Sequence, residues 1–135
     1  MKKSDRQVEV LLDSLIEVVN IEKVIDALPR GYISVKVISG HTYYYRQWRE
    51  GEKIISSYVP ESYLNVIKQK IEIRKQNEEL LKILKKDYKK AERAVLKGGV
   101  TMDKIDAVKA RIKTMGDEEL ASSKTRDSLK DALVA

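Results

Sequence analysis

Two dipeptides that end in glycine, Ser39-Gly40 and Glu50-Gly51, interrupt a run of β-branched and aromatic residues between Arg30 and Pro60. Glycine adopts a positive φ at no steric cost, so a two-residue break of this kind between such runs reads as a hairpin turn. Two in succession make a three-stranded antiparallel meander. Strand period two then fixes the pairing by counting. With each dipeptide as the centre of its turn, Ile38 faces His41, Lys36 faces Tyr43 and Ser34 faces Tyr45. Across the second turn Arg49 faces Glu52, Gln47 faces Ile54, Tyr45 faces Ser56 and Tyr43 faces Tyr58.

This counting sorts the side chains onto two faces. One carries Ile33, Val35, Val37, Tyr44, Trp48, Ile55 and Val59, diluted by Thr42, Arg46, Lys53 and Ser57. It needs a cover, and Trp48 and Tyr44 read as core. The other carries Tyr32, Ser34, Lys36, His41, Tyr43, Tyr45, Gln47, Arg49, Ile54, Ser56 and Tyr58. Its phenols, amide and cations make it the candidate binding face.

The flanking segments read as helices. Ser4 with Gln7 three positions on is a capping-box pattern. Val8, Leu11, Leu12, Leu15, Ile16 and Val19 follow at helical spacing and supply the expected cover for the apolar sheet face. Asn20 is placed to cap a second short helix, Ile21 to Ala27, and Pro29 ends it. Beyond the meander, Pro60-Glu61-Ser62 opens a helix that runs to Lys97 and stops at Gly98-Gly99. At ~1.5 Å per residue it is on the order of 55 Å long, more than a small domain covers. Its second half sets Leu81, Leu84, Tyr88, Ala91 and Val95 at alternating spacings of 3 and 4, a coiled-coil seam. Thr101 caps a further helix, in which Ile105, Val108 and Ile112 can meet that seam in the same chain or in another copy. Leu81, Leu84, Tyr88, Ile105, Val108 and Ile112 are therefore the candidate oligomerisation residues of a homodimer. Leu120, Leu129 and Leu133 mark a last helix.

The expected fold is α+β: a three-stranded meander packed on an N-terminal helix, then a long basic helix and a C-terminal helical return. The segments are 1–29, 30–60, 61–98 and 99–135. The net charge of +6 is uneven across them. Residues 30–60 carry 5 basic and 2 acidic side chains, and residues 61–98 carry 11 and 6. The first segment is acidic on balance and the last is neutral. A localised basic excess favours a polyanionic partner.

Little in the sequence suits catalysis. The single histidine, His41, sits beside a turn with no orienting partner, no phosphate-cradling loop is present, and the carboxylates lack ligand spacing. The expectation is a non-enzymatic protein with no cofactor and no metal site. The absence of cysteine, of any apolar run of membrane length and of a signal-peptide core after Met1-Lys2-Lys3 points to a cytoplasmic protein without a membrane partner.

The candidate site is Tyr32, Lys36, Tyr43, Tyr45, Gln47, Arg49 and Tyr58 on the sheet, with Lys68 and Lys75 on the long helix. Tyrosine rings offer stacking, glutamine reads base edges, and arginine and lysine hold phosphates. DNA is the first ligand to expect. The alternative is a protein partner gripped through the same tyrosines or the helical arm, as an inhibitor or antitoxin-like protein would do.

Leu28-Pro29-Arg30-Gly31, Ile33, Lys36, Gly40, Thr42-Tyr43-Tyr44-Tyr45, Gln47-Trp48-Arg49-Glu50-Gly51, Lys53 and Ser57-Tyr58-Val59, followed by a charged helix, resemble a small uncharacterised prokaryotic domain. That domain recurs in bacterial, archaeal and mobile-element, including phage, proteins. The resemblance runs from Leu28 to about Arg74 and implies no particular activity. Three strands followed by a helix are also similar, at the level of fold, to the arm-type DNA-binding domains of tyrosine recombinases. Both resemblances leave the N-terminal helix and the C-terminal helices outside.

Overall fold

The computed structural model describes residues 3–135, with side chains from Asp5 onward; the Ser4–Gln7 capping box therefore lies outside the described residues. In chain order the elements are α1 (Lys3–Asp26), β1 (Tyr32–Ile38), β2 (His41–Glu50), β3 (Lys53–Val59), a 3-10 turn (Glu61–Tyr63), α2 (Leu64–Lys97), α3 (Met102–Lys113), α4 (Asp117–Ala121) and α5 (Ser123–Val134). The α+β order is the expected one. Asn20 does not cap a second helix: α1 runs through it without a break. The apolar stripe continues across it through Val18, Val19 and Ile25, all buried, and that burial outweighs the local capping preference of asparagine.

The chain forms two units, Met1–Lys23 with Leu80–Ala135 and Val24–Glu79. The first is all helical. Leu11, Leu12 and Leu15 of α1 are fully buried with Ile105, Val108 and Ile112 of α3 and Leu129 and Leu133 of α5, in one cluster that also holds Ala91 and Val95 of α2. The turn after α2 explains the return. Val100 N donates to Val95 O and Gly99 N to Leu96 O, both at 3.1 Å, the paired bonds of a Schellman ending. Thr101 Oγ1 then accepts from Lys104 N at 3.4 Å and caps α3, as its position suggested. Lys130 Nζ meets Glu9 Oε1 at 2.5 Å, and Arg126 pairs with Asp13, so α5 and α1 are also tied by charge.

In this packing α3 meets the seam of its own chain, one of the two arrangements that the spacing allowed. Ile105, Val108 and Ile112 are consumed in the chain's own core, together with the seam residues Ala91 and Val95 and the partly buried Tyr88. Leu81 and Leu84 are half-buried. Ala91 and Val95 of the seam are thus covered within the chain.

The second unit holds the sheet, in the order β1-β2-β3. The first hairpin pairs as counted, Ile38 with His41 through Ser34 with Tyr45. The second differs. Glu50 pairs with Lys53, Trp48 with Ile55 and Tyr45 with Tyr58. Gly51 is the first central residue of its turn, not the second: it has φ +60° while Glu52 has none of the positive φ values. Glycine at the first central position belongs to a type II′ turn, which closes a hairpin as well as type I′ does. The register shifts by two residues, and an even shift keeps every side chain on its counted face. Gly31, just before β1, has φ +105°, and a Cβ there would stand 2.0 Å from the Gln47 carbonyl oxygen. No other residue fits that approach.

Cover on the apolar face is smaller than expected, because α1 spends Val8 to Val19 in the helical core. Among the described residues, Ile25, Val59 and Ile71 are the buried apolar side chains of this unit. Val35 and Val37 are 57% and 68% exposed.

Truncation separates the two situations. Ile112→Ala should cost about 2–5 kcal/mol in urea unfolding, whereas Val37→Ala should stay within about 0.5 kcal/mol of the parent. Equal losses would contradict this partition of the core.

Candidate functional site

The outward face of the meander brings together all seven sheet residues singled out above. β1 supplies Tyr32 and Lys36, β2 supplies Tyr43, Tyr45, Gln47 and Arg49, and β3 supplies Tyr58. The corrected register sets Tyr45 opposite Tyr58, and their rings meet edge to face with centroids 5.9 Å apart. Lys36 Nζ lies 4.8 Å from the centre of the Tyr45 ring, a cation–π contact that orients the ammonium over the aromatic pair. Tyr32 OH donates to Gln47 Oε1 at 2.8 Å, fixing the amide, whose nitrogen makes no hydrogen bond among the described residues. Tyr32, Ile54 and Tyr58 are 54%, 60% and 56% exposed, and Arg49 is exposed. The face is a rigid platform with stacking surface, one amide donor and two cations.

The opposite face holds a cluster that the sequence reading missed. Arg46 stacks on Trp48, its guanidinium carbon 3.7 Å from the ring centre, and its Nη1 donates to Arg30 O at 2.7 Å. The indole N–H of Trp48 donates to Glu50 Oε1 at 2.9 Å, and Arg30 Nη2 lies 3.9 Å from the same oxygen. Arg74 Nη1 donates to the carbonyls of Ile25 and Leu28 at 2.7 and 2.6 Å, closing the end of α1, while its Nε holds Glu78. Partial burial lowers the pKa of the Arg46 guanidinium, and the nearby charges of Arg30 and Arg74 lower it further. The signal was present: Arg46, Trp48 and Glu50 stand two apart in one strand and so share a face. These donors already serve backbone and carboxylate, so the cluster holds structure together. Trp48 is half-buried here, not the core residue expected.

The basic helix divides in a way that the segment totals hid. Lys68 and Lys75 are exposed, but Glu72, Glu78 and Glu79 lie in the same part of α2. From residue 85 to 97, by contrast, the sequence holds six cations and only two acids, Asp87 and Glu92. At ~100° per residue, Lys85, Lys86, Lys89, Lys90, Arg93 and Lys97 fall within an arc of about 140°, opposite Leu84, Ala91 and Val95. Lys82 lies in the same arc. Those six are exposed and make no ion pair among the described residues. Lys68 and Lys75, the helix cations singled out from sequence, lie before this stripe. Its signal is the recurrence of lysine and arginine at the spacing of the core seam but a half-turn away.

Trp48→Ala should cost about 2 kcal/mol in denaturant unfolding, below the ~3–5 of a fully buried aromatic, because only part of the indole is removed from water. Tyr32→Ala should cost less than half as much, and the reverse order would mean the faces are exchanged.

The family model that matches is described as a domain of unknown function, DUF6788, and it covers residues 2–69, half of the chain. No curated protein and no solved structure matches. The matched segment takes in α1, the meander and the first turns of α2, so it begins well before Leu28, where the resemblance was read to start. The cationic stripe of α2 and the helices α3 to α5 lie beyond it. On that match the chain belongs to the DUF6788 family.

Proposed function

We propose that this protein is a non-enzymatic binding module for nucleic acid, with duplex DNA as its ligand. The observation that carries the reading is the row of six exposed cations without ion pairs on α2, Lys85 to Lys97. A row of 12 residue steps spans about 18 Å, close to five phosphate steps along one strand. Fixed on a helix whose other side is buried, the cations need no ordering of the backbone before they meet phosphates. The tyrosine face supports the same reading as a second contact, with Lys36 and Arg49 for phosphates and Gln47 and Tyr43 for bases. The likeness of three strands and a helix to arm-type domains of tyrosine recombinases adds an argument from fold alone.

One observation favours a protein partner at the sheet: three large side chains, Tyr32, Ile54 and Tyr58, are more than half exposed beside only two cations. Exposed tyrosines are typical anchors of protein interfaces. In that reading the sheet grips a protein, as an inhibitor does, and the stripe steers the approach.

Anisotropy titration against random duplex at several salt concentrations distinguishes them. For DNA, log K should fall against log salt with a slope near −4, corresponding to about four to five phosphates neutralised. Lys89→Glu with Arg93→Glu should weaken binding more than about tenfold and flatten the slope by roughly 2. Tyr43→Ala and Gln47→Ala should leave the slope unchanged and reduce discrimination between sequences. Binding no tighter than about 100 micromolar at low salt would remove the DNA reading.

A further inference from the structure

β1 is an edge strand. It contains no proline, its register with β2 is unbroken by a bulge, and its one charge, Lys36, turns onto the tyrosine face over Tyr45. Charge, proline and bulges guard natural edge strands, and Lys36 is the one such guard in β1. The side chains at its open end, Val35, Val37 and Ile38, are each more than half exposed.

The unpaired backbone can be located. The two-residue turn closes on Ile38 and His41, which form a hydrogen-bonded pair, and in an antiparallel ladder such pairs alternate with non-bonded ones. Ile38, Lys36 and Ser34 therefore direct their N–H and C=O groups to β2. Ile33, Val35 and Val37 direct theirs outward. These three outward residues are symmetric about Val35, so the edge is complementary to itself. An antiparallel copy related by a dyad at Val35 pairs Val35 with Val35 and Ile33 with Val37, and every outward group finds a partner. A dyad one residue on would set Lys36 against Lys36 and leave Ile33 opposite the turn. In the Val35 register Lys36 instead faces Ser34.

We infer that β1 pairs with β1 of a second copy of this chain about a dyad at Val35, giving a six-stranded sheet. One side of it joins Ile33, Val35 and Val37 of both copies into an apolar band. The other sets two tyrosine platforms side by side. The interface is isologous and closes at two chains.

Light scattering and sedimentation across a concentration series test this. The parent should move from monomer mass to twice that mass as concentration rises. Val35→Pro removes an outward N–H that β2 does not use, so circular dichroism should be unchanged while the dimer is lost. The chain has no cysteine, so single replacements report the register. Val35→Cys should oxidise to a covalent dimer, since paired residues stand about 5.5 Å apart at Cα, within disulfide range. Val37→Cys should not, being about four residue steps from its symmetry mate, on the order of 13 Å. A parent that stays monomeric at its highest soluble concentration, a dimer that survives Val35→Pro, or equal cross-linking at 35 and 37 would each overturn the inference.

Discussion

Everything in this molecule depends on where α1 buries its apolar stripe. Leu11, Leu12 and Leu15 are fully enclosed with residues from α2, α3 and α5, so the two ends of the chain share one core. The Schellman ending at Gly99 makes this possible by reversing the chain after Lys97 and sending Ile105, Val108 and Ile112 back onto Ala91 and Val95. A helix too long for a small domain thereby gains its cover from its own chain. The commitment has a cost elsewhere. The unit that holds the meander keeps three buried apolar side chains among the described residues, and relies on ladder hydrogen bonds, the Arg46–Trp48 stack and the closure of α1 by Arg74. A unit of this size with so small a core leaves Val35 and Val37 on one face and Tyr32, Ile54 and Tyr58 on the other exposed.

Charge is arranged with the same division. Where cations support structure they are matched: Arg74 by carbonyls and Glu78, Arg30 by Glu50, Arg126 by Asp13, Lys130 by Glu9. On the outer side of α2, the six from Lys85 to Lys97 have no ion pair among the described residues. Like charges crowded on one helix repel and weaken it by a few tenths of a kcal/mol per pair, so the row works against the stability of the helix that bears it. A polyanion relieves that repulsion, and this is the physical basis for reading the row as a binding surface.

Much of this was legible in the residues. Ser39-Gly40 fixed the first hairpin, and the faces of all three strands followed from parity. Glu50-Gly51-Glu52 did not reveal which dipeptide forms the turn, because glycine suits either central position in different turn types. The resulting two-residue error changed Tyr45's partner from Ser56 to Tyr58 without moving any residue to the wrong face. Asn20 misled because capping is a local preference and the buried stripe through it is not. What covers the sheet was beyond reach: the 3–4 spacing of α1 declares an apolar stripe but not which apolar surface receives it. The split of the basic helix was hidden only by taking 61–98 as one segment, since Glu61, Glu72, Glu78 and Glu79 balance the four cations of its first half.

The central claim is that Lys85 to Lys97 meets nucleic acid, and amide chemical-shift mapping on addition of a short random duplex tests it residue by residue. The account predicts perturbations concentrated on the exposed side of residues 85–97, with a second set on the strands that bear Lys36, Gln47 and Arg49, and both fading as salt rises. Perturbations confined to the Arg30, Arg46 and Trp48 cluster, or absent from residues 85–97 under conditions where the duplex binds, would contradict it.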